Sequence, residues 1–197
     1  MDSPNLRKRI PGPAALGALL LIIGGLSIVP VQSRAAANAL DEYAVKAALI
    51  FNFAKFTDWP PKAFPHPDTP IIIGVLGDDP FGQALDRVVQ DRLIDGRRVI
   101  VQRASGVAQL EGAHLVFVSG SQPQAPQDCA ALERTGALTI GDTTYTTHYT
   151  AIGFAVEGGK IVFTIDLERT RRIGPQISSQ VLKLAKSVKR PPDMLTR

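Results

Sequence analysis

His66, His114 and His148, the single Cys129, and a few hydroxyls and carboxylates are the side chains of this 197-residue sequence that could do chemistry. The three histidines fall in three different elements with no partner at i+3 or i+4, so the spacing that places two imidazoles on one helical face for a metal is missing. Ser119 and Ser121 would need a base to become nucleophiles. His148 could reach them only through tertiary structure, and no Gly-x-Ser-x-Gly elbow is present. The reading is therefore of a non-enzyme: no catalytic residue, no metal ligand and no cofactor is assigned.

One loop has a ligand-site position without ligand-site chemistry. Gly77-Asp78-Asp79-Pro80-Phe81-Gly82 follows a continuous apolar run, at the carboxyl end of a predicted strand, where open α/β sheets bind ligands. It has neither the dinucleotide glycine spacing nor a Gly-Lys-Ser/Thr ending, and two carboxylates would repel a phosphate. The main reading is a capped turn in which Asp79 caps and Asp78 is solvated. The alternative is a small-ligand sensor whose crevice presents Asp78, Asp79 and Ser119 to a polar or cationic ligand. Arg169, Arg171 and Arg172, with Lys183, Lys186 and Lys189 further on, read as a solvated face beside Asp166 and Glu168.

Most of the net positive charge belongs to the first 37 residues. Arg7, Lys8 and Arg9 precede an apolar run from Ala14 to Val29, and Ala35-Ala36-Ala37 follows: the positive, apolar, small order of a secretory leader. Gly17, Gly24, Gly25 and Pro30 weaken the rival reading as a permanent anchor. Cleavage after residue 37 removes four basic groups and one acidic group, taking the formal charge from +4 to +1. Nucleic acid is excluded as an expected partner on that balance. In the oxidising compartment beyond, a lone Cys129 can form no internal disulfide, and it reads as a buried inert thiol.

The rest must supply a scaffold. Residues 41–56 contain no Pro or Gly and predict a helix with Val45, Leu49, Asn52, Phe53 and Phe56 on one face. Tyr43, Ala47, Ile50, Phe51 and Ala54 cover the other, so the helix is either sandwiched in a core or offers a second face to a partner. Trp59-Pro60-Pro61 ends it. Strands are predicted at Ile71–Leu76, Arg98–Arg103, Leu115–Val118 and Leu138–Ile140, with helices between them. One helix has Pro80 in its first turn and Phe81, Leu85, Val88 and Val89 on one face; a short turn is expected around Val107 and Leu110, and a helix near Ala130–Arg134. Ile152–Val156 and Lys160–Ile165 read as a hairpin across Glu157-Gly158-Gly159, and about Pro175–Lys189 as an amphipathic helix. The fold class is thus α/β: a Rossmann-like, mainly parallel sheet with helices on both faces and a C-terminal antiparallel hairpin plus helix.

Four stretches in this order are similar to the YfiR-like family of periplasmic regulators. They are Tyr43-x-Val45-Lys46-Ala47-Ala48 running on to Phe53-Ala54-Lys55-Phe56-x-x-Trp59-Pro60; Val75 to Gly82; His114 to Ser119; and Ile177-Ser178-Ser179 followed by Leu182 to Ala185. The resemblance implies a Rossmann-like periplasmic domain, often a homodimer and without catalytic activity. Such a domain holds an inner-membrane diguanylate cyclase inactive through the cyclase's periplasmic region. It also implies release by an outer-membrane lipoprotein that sequesters the regulator, with cyclic di-GMP and biofilm formation as the output. Two departures stand out. Thr150-Ala151 replaces a Gly-Gly pair before the hairpin, and Ala113 stands where relatives often carry a cysteine, so disulfide control is not expected here.

The organisation expected is a signal peptide over 1–37, one α/β domain over 38–190 and a flexible tail over 191–197, with the mature protein in the periplasm. Phe51, Phe56 and Trp59 are the residues expected at a partner surface, because aromatic side chains dominate such contacts.

Overall fold

A computed structural model of the chain describes residues 32–122 and 124–190, with side chains from Asp41 onward. Most of the expected leader and the expected tail lie outside the described residues. In chain order the helices are α1 (Gln32–Lys55), α2 (Ala84–Val89), α3 (Ala125–Thr135), α4 (Thr144–Thr147), α5 (Leu167–Ile173) and α6 (Ser179–Leu184). The strands are β1 (Thr57–Asp58), β2 (Ile71–Leu76), β3 (Leu93–Ile94), β4 (Arg97–Ala104), β5 (Leu115–Val118), β6 (Leu138–Gly141), β7 (Ile152–Glu157), β8 (Lys160–Asp166), β9 (Gln176–Ile177) and β10 (Ser187–Lys189).

The eight-stranded sheet has the order β10-β8-β7-β6-β5-β2-β4-β3. β4, β2, β5, β6 and β7 are all parallel, and the central β2, β5 and β6 are the near-continuous buried runs that a strand covered on both faces requires. Chirality of the turns sets the antiparallel additions. β7 and β8 pair from Ile152↔Ile165 to Glu157↔Lys160, across Gly158 and Gly159 at φ 55° and 75°, a two-residue turn open to glycine. Asp95 and Gly96, at φ 50° and 78°, turn β3 back onto β4 in the same way.

Helices cover both faces, giving two cores. On one face α1 and α2 bury Ile50, Phe53 and Leu85 against Ile73, Val75 and Phe117. Phe53 lies 5.8 Å from Phe154 and edge-on to Phe163 at 5.0 Å; burying one such ring contributes about 1.5–3 kcal/mol. On the other face Leu76, Val116 and Val118 meet Leu110 and the Ala125, Cys129 and Leu132 side of α3. Gly74 allows this approach, since a Cβ there would sit 3.0 Å from Leu110 Cδ2.

Two local expectations are corrected. The helix after β2 begins at Ala84, not around Pro80. Asp79 Oδ1 accepts the Phe81 N–H at 2.7 Å, and this side-chain turn with Gly82 at φ 51° outcompetes the first helical turn. Phe81, Leu85 and Val89 are buried all the same.

The amphipathic helix over Pro175–Lys189 is in fact three pieces. β9 pairs with β1, Ser178 caps a six-residue α6 through Val181 N–H, and Ser187–Lys189 joins the sheet beside β8. Phe163 on the β8 edge accepts Lys186 N–H at 2.8 Å; this unfilled edge draws out the last helical turn. α5, capped by Asp166 on Arg169 N–H at 3.0 Å, occupies a stretch that the sequence reading left without an element.

Candidate functional site

The crevice beyond β2 and β5 is filled by the protein's own side chains. Asp79 carries two tasks: besides its turn, Oδ2 pairs with Arg103 Nε at 2.6 Å. Arg103 also grips Asp86 at 2.6 Å, and the arginine's hydrogen bond holds the Asp86 carboxyl below its ordinary range. Asp78 is exposed. Ser119 is buried and lies 3.2 Å from the Ser121 hydroxyl, with no imidazole in that pair. Gln122 closes over Gly77, where a Cβ would lie 3.1 Å from Gln122 Cγ. Asp78, Asp79 and Ser119 therefore share one end of the sheet, with Asp79 tied into a clamp between β4 and α2.

The three aromatic residues separate. Phe51 is 5% exposed and belongs to the core, with the Arg92 guanidinium 5.2 Å from its ring. Phe56 is half-buried at the end of α1. Trp59 donates Nε1–H to the Ala54 carbonyl at 3.1 Å and lies edge-on to His114 at 5.3 Å. At 100° per residue, Val45, Leu49, Asn52 and Phe56 form one stripe of α1. Val45 and Asn52 are exposed and Leu49 is half-buried. Beside the stripe, Val45 lines a groove of about 650 Å³ with Val156 and Ile161 of the β7–β8 hairpin, rimmed by Asp41, Glu42 and Lys160. Val45 is 50% and Val156 51% exposed.

A buried polar centre was not anticipated. Lys46, 2% exposed, donates to Asp142 Oδ2 at 2.8 Å and pairs with Glu42 at 2.6 Å. Tyr43 donates its hydroxyl to the same Asp142 oxygen at 2.8 Å. Burial, and then the Asp142 carboxylate, push the Tyr43 hydroxyl well above its ordinary pKa, so it stays a donor. The spacing Glu42, Tyr43, Lys46 was visible on one helix; Asp142, 96 positions away, was not. The arrangement anchors α1 to the end of β6 through one charge-paired, hydrogen-bonded cluster.

His114, 3% exposed, begins β5. Its Nδ1 accepts Ile72 N–H at 3.2 Å, which leaves the ring hydrogen on Nε2 in the neutral form. Burial pushes its pKa down, the nearby Ala63 carbonyl pulls it partly back, and Arg97 lowers it further. The Ala63 carbonyl influences the ring without a well-aligned bond, for Nε2 has no hydrogen-bond partner among the described residues. Burial also pushes the Cys129 thiol up to about 12, so it is an unreactive thiol. Among the described residues no group of three or more His, Cys, Asp or Glu could hold a metal ion, and no helix is long and apolar enough to cross a membrane.

A family model described as YfiR/HmsC-like matches residues 43–186. No functionally described protein matches in sequence. Of solved structures, a conserved domain protein from Vibrio cholerae is similar at 13% identity and a TM-score of 0.46, over 60% of this chain and 54% of that one. The ABC domain from Streptococcus pneumoniae, solved in complex with L-Trp, is similar at 11% identity and a TM-score of 0.49, over 72% and 61%. The chain thus spans less than two thirds of either structure.

Proposed function

Because the chain belongs to the YfiR/HmsC-like family, we propose that it is a non-catalytic periplasmic regulator that binds and represses an inner-membrane diguanylate cyclase. Control of cyclic di-GMP and of biofilm formation follows from that contact. The family match, continuous from within α1 to just beyond α6, is the observation that carries the reading. A signal peptide ending at residue 37, a homodimer and sequestration by an outer-membrane lipoprotein belong to the same proposal.

The chemistry of the surface supports binding rather than turnover. The carboxylates at the sheet's ligand-binding end are exposed or tied to arginine, and the buried lysine is fully engaged. What the protein offers instead is shape: the α1 stripe of Val45, Leu49, Asn52 and Phe56, continued by Val156 and Ile161. We assign the cyclase contact to that stripe and its groove, with Phe56 as its aromatic member. Trp59 supports the stripe from the end of the helix, and Phe51 supports it from the core side.

Deleting the gene is expected to raise cellular cyclic di-GMP, and restoring the wild-type gene to lower it. Val45→Asp combined with Val156→Asp changes two exposed side chains, so the variant should accumulate normally yet fail to repress. A centrally placed apolar contact is worth about 2 kcal/mol or more, roughly 30-fold in affinity. Cyclic di-GMP that is indifferent to the deletion would refute the regulatory reading. Full repression by the double variant would leave that reading intact and move the contact elsewhere.

A further inference from the structure

At the opposite end of the sheet from the Asp79 clamp lies a cavity of about 590 Å³. Pro60, Ala63 and Pro65 wall one side and Ile173 the other; Ala113 and His114 lie at its base. Lys62, Arg134 and Arg172 surround it, and none of the three has an ion-pair or hydrogen-bond partner among the described residues. Of the carboxylates in its lining, Glu133 is committed to Arg169 at 2.8 Å and to the Thr139 hydroxyl at 3.4 Å. Only Glu111 is free.

We propose that this cavity binds a small oxygen-rich organic anion, a polycarboxylate or a phosphate ester, through Lys62, Arg134 and Arg172. A simpler role for two of these residues has to be weighed first. Arg134 and Arg172 stand in the last turns of α3 and α5, where a cation offsets about half a negative charge per helix end. Two such half-charges and Glu111 against three cations still leave a surplus of about one positive charge around one concavity. The helix-end carbonyls are moreover already occupied: Gly136 N–H binds Glu133 O, Ala137 N–H binds Leu132 O, and Gly174 N–H binds Thr170 O.

The lining therefore presents donors in excess of acceptors: an ammonium and two guanidinium forks against one free carboxylate. Donors in excess call for a ligand made mostly of acceptors, and guanidinium forks fit carboxylate and phosphate oxygens two at a time. Mutual repulsion among three cations is relieved when such an anion enters. The volume suits a metabolite-sized molecule.

The chain contains one tryptophan, and Trp59 touches the His114 ring, so its fluorescence reports on the cavity. Citrate, inorganic phosphate and glycerol phosphate, each titrated at ionic strength matched with sodium chloride, are the probes. The expected result is a saturable change in fluorescence with a rise in Tm for at least one of them. Arg134→Ala with Arg172→Ala should weaken it by about tenfold or more, since two charge-assisted contacts are lost, while Arg87→Ala on the other face leaves it unchanged. Preference for citrate marks a polycarboxylate site and preference for glycerol phosphate a phosphate-ester site. No saturable response beyond chloride, or an equal response in the double variant, overturns the proposal. The site does not rest on the regulatory reading: binding is measured on the isolated protein and repression in cells, so either can fail alone.

Discussion

At the scale of single residues, two buried groups carry more of the fold than the sequence discloses. Lys46 stands among apolar positions of a helix, and its depth follows from Asp142 meeting it across the sheet end. Taking one charge from such a pair strands the other in a poor solvent. Lys46→Met should therefore cost about 3–5 kcal/mol in urea unfolding, while Lys46→Met with Asp142→Leu should recover much of that loss. Additive losses would show the pair to be uncoupled. His114 makes a second, pH-dependent contribution. Its folded pKa lies below the ordinary 6.5, so under about pH 6.5 the unfolded chain takes up a proton that the folded one refuses. The stability due to neutral His114 is then complete above that pH and lost as the pH falls toward the folded value, with a slope of up to about 1.4 kcal/mol per unit. Unfolding at about pH 7.5 and about pH 5.5 should show the loss in wild type. His114→Asn, which keeps an acceptor for Ile72 N–H, should flatten it. Equal slopes would assign the pH dependence to the carboxylates instead.

At the scale of elements, what the sequence disclosed and what it hid have separate physical causes. β2, β5 and β6 were legible because a strand covered on both faces has to be apolar throughout, and β7–β8 because Gly158-Gly159 can hold the left-handed turn that L residues resist. α1 was legible as a helix with two apolar sides, although only the structure shows that Phe51 faces the core while Val45 faces water. The last helix misled because Ile177, Val181, Leu184 and Val188 fit a period of 3.6. Periodicity is blind to a vacant sheet edge, which gains more from Lys186–Lys189 as a strand than another helical turn would supply. The candidate site divides the same way. Asp78, Asp79 and Ser119 lie together at one end of the sheet because each follows a strand in the sequence, but the Arg103 that engages Asp79 comes from 24 positions on. The cavity at His114 draws Lys62, Arg134 and Arg172 from three separate segments, a convergence that no local spacing encodes.

At the scale of the whole molecule, the sheet is an open one and its two ends must be kept from recruiting strands of other chains. β3 covers only Arg97 and Arg98 at the start of β4, and the turn at Val107–Leu110 returns to its far end, where Gln102 Nε2 donates to Gln109 O at 2.6 Å. The other end depends on β10. Its three residues pair with Thr164–Asp166, and surface ion pairs run from Lys186, just before it, to Glu157 and from its own Lys189 to Asp166. Those pairs are each worth about 0–1 kcal/mol, so a chain ending after Ala185 should lose little stability from them. What it loses is the cover on β8, whose Phe163 and Ile165 flank an exposed row of backbone donors and acceptors. Truncation there is expected to leave the far-ultraviolet circular dichroism close to wild type while shifting the protein to larger species in sedimentation velocity. The shift should reverse when the last residues are restored. If the truncated chain sediments as the full one does, β10 is an ornament of the fold and the β8 edge is protected by its own twist.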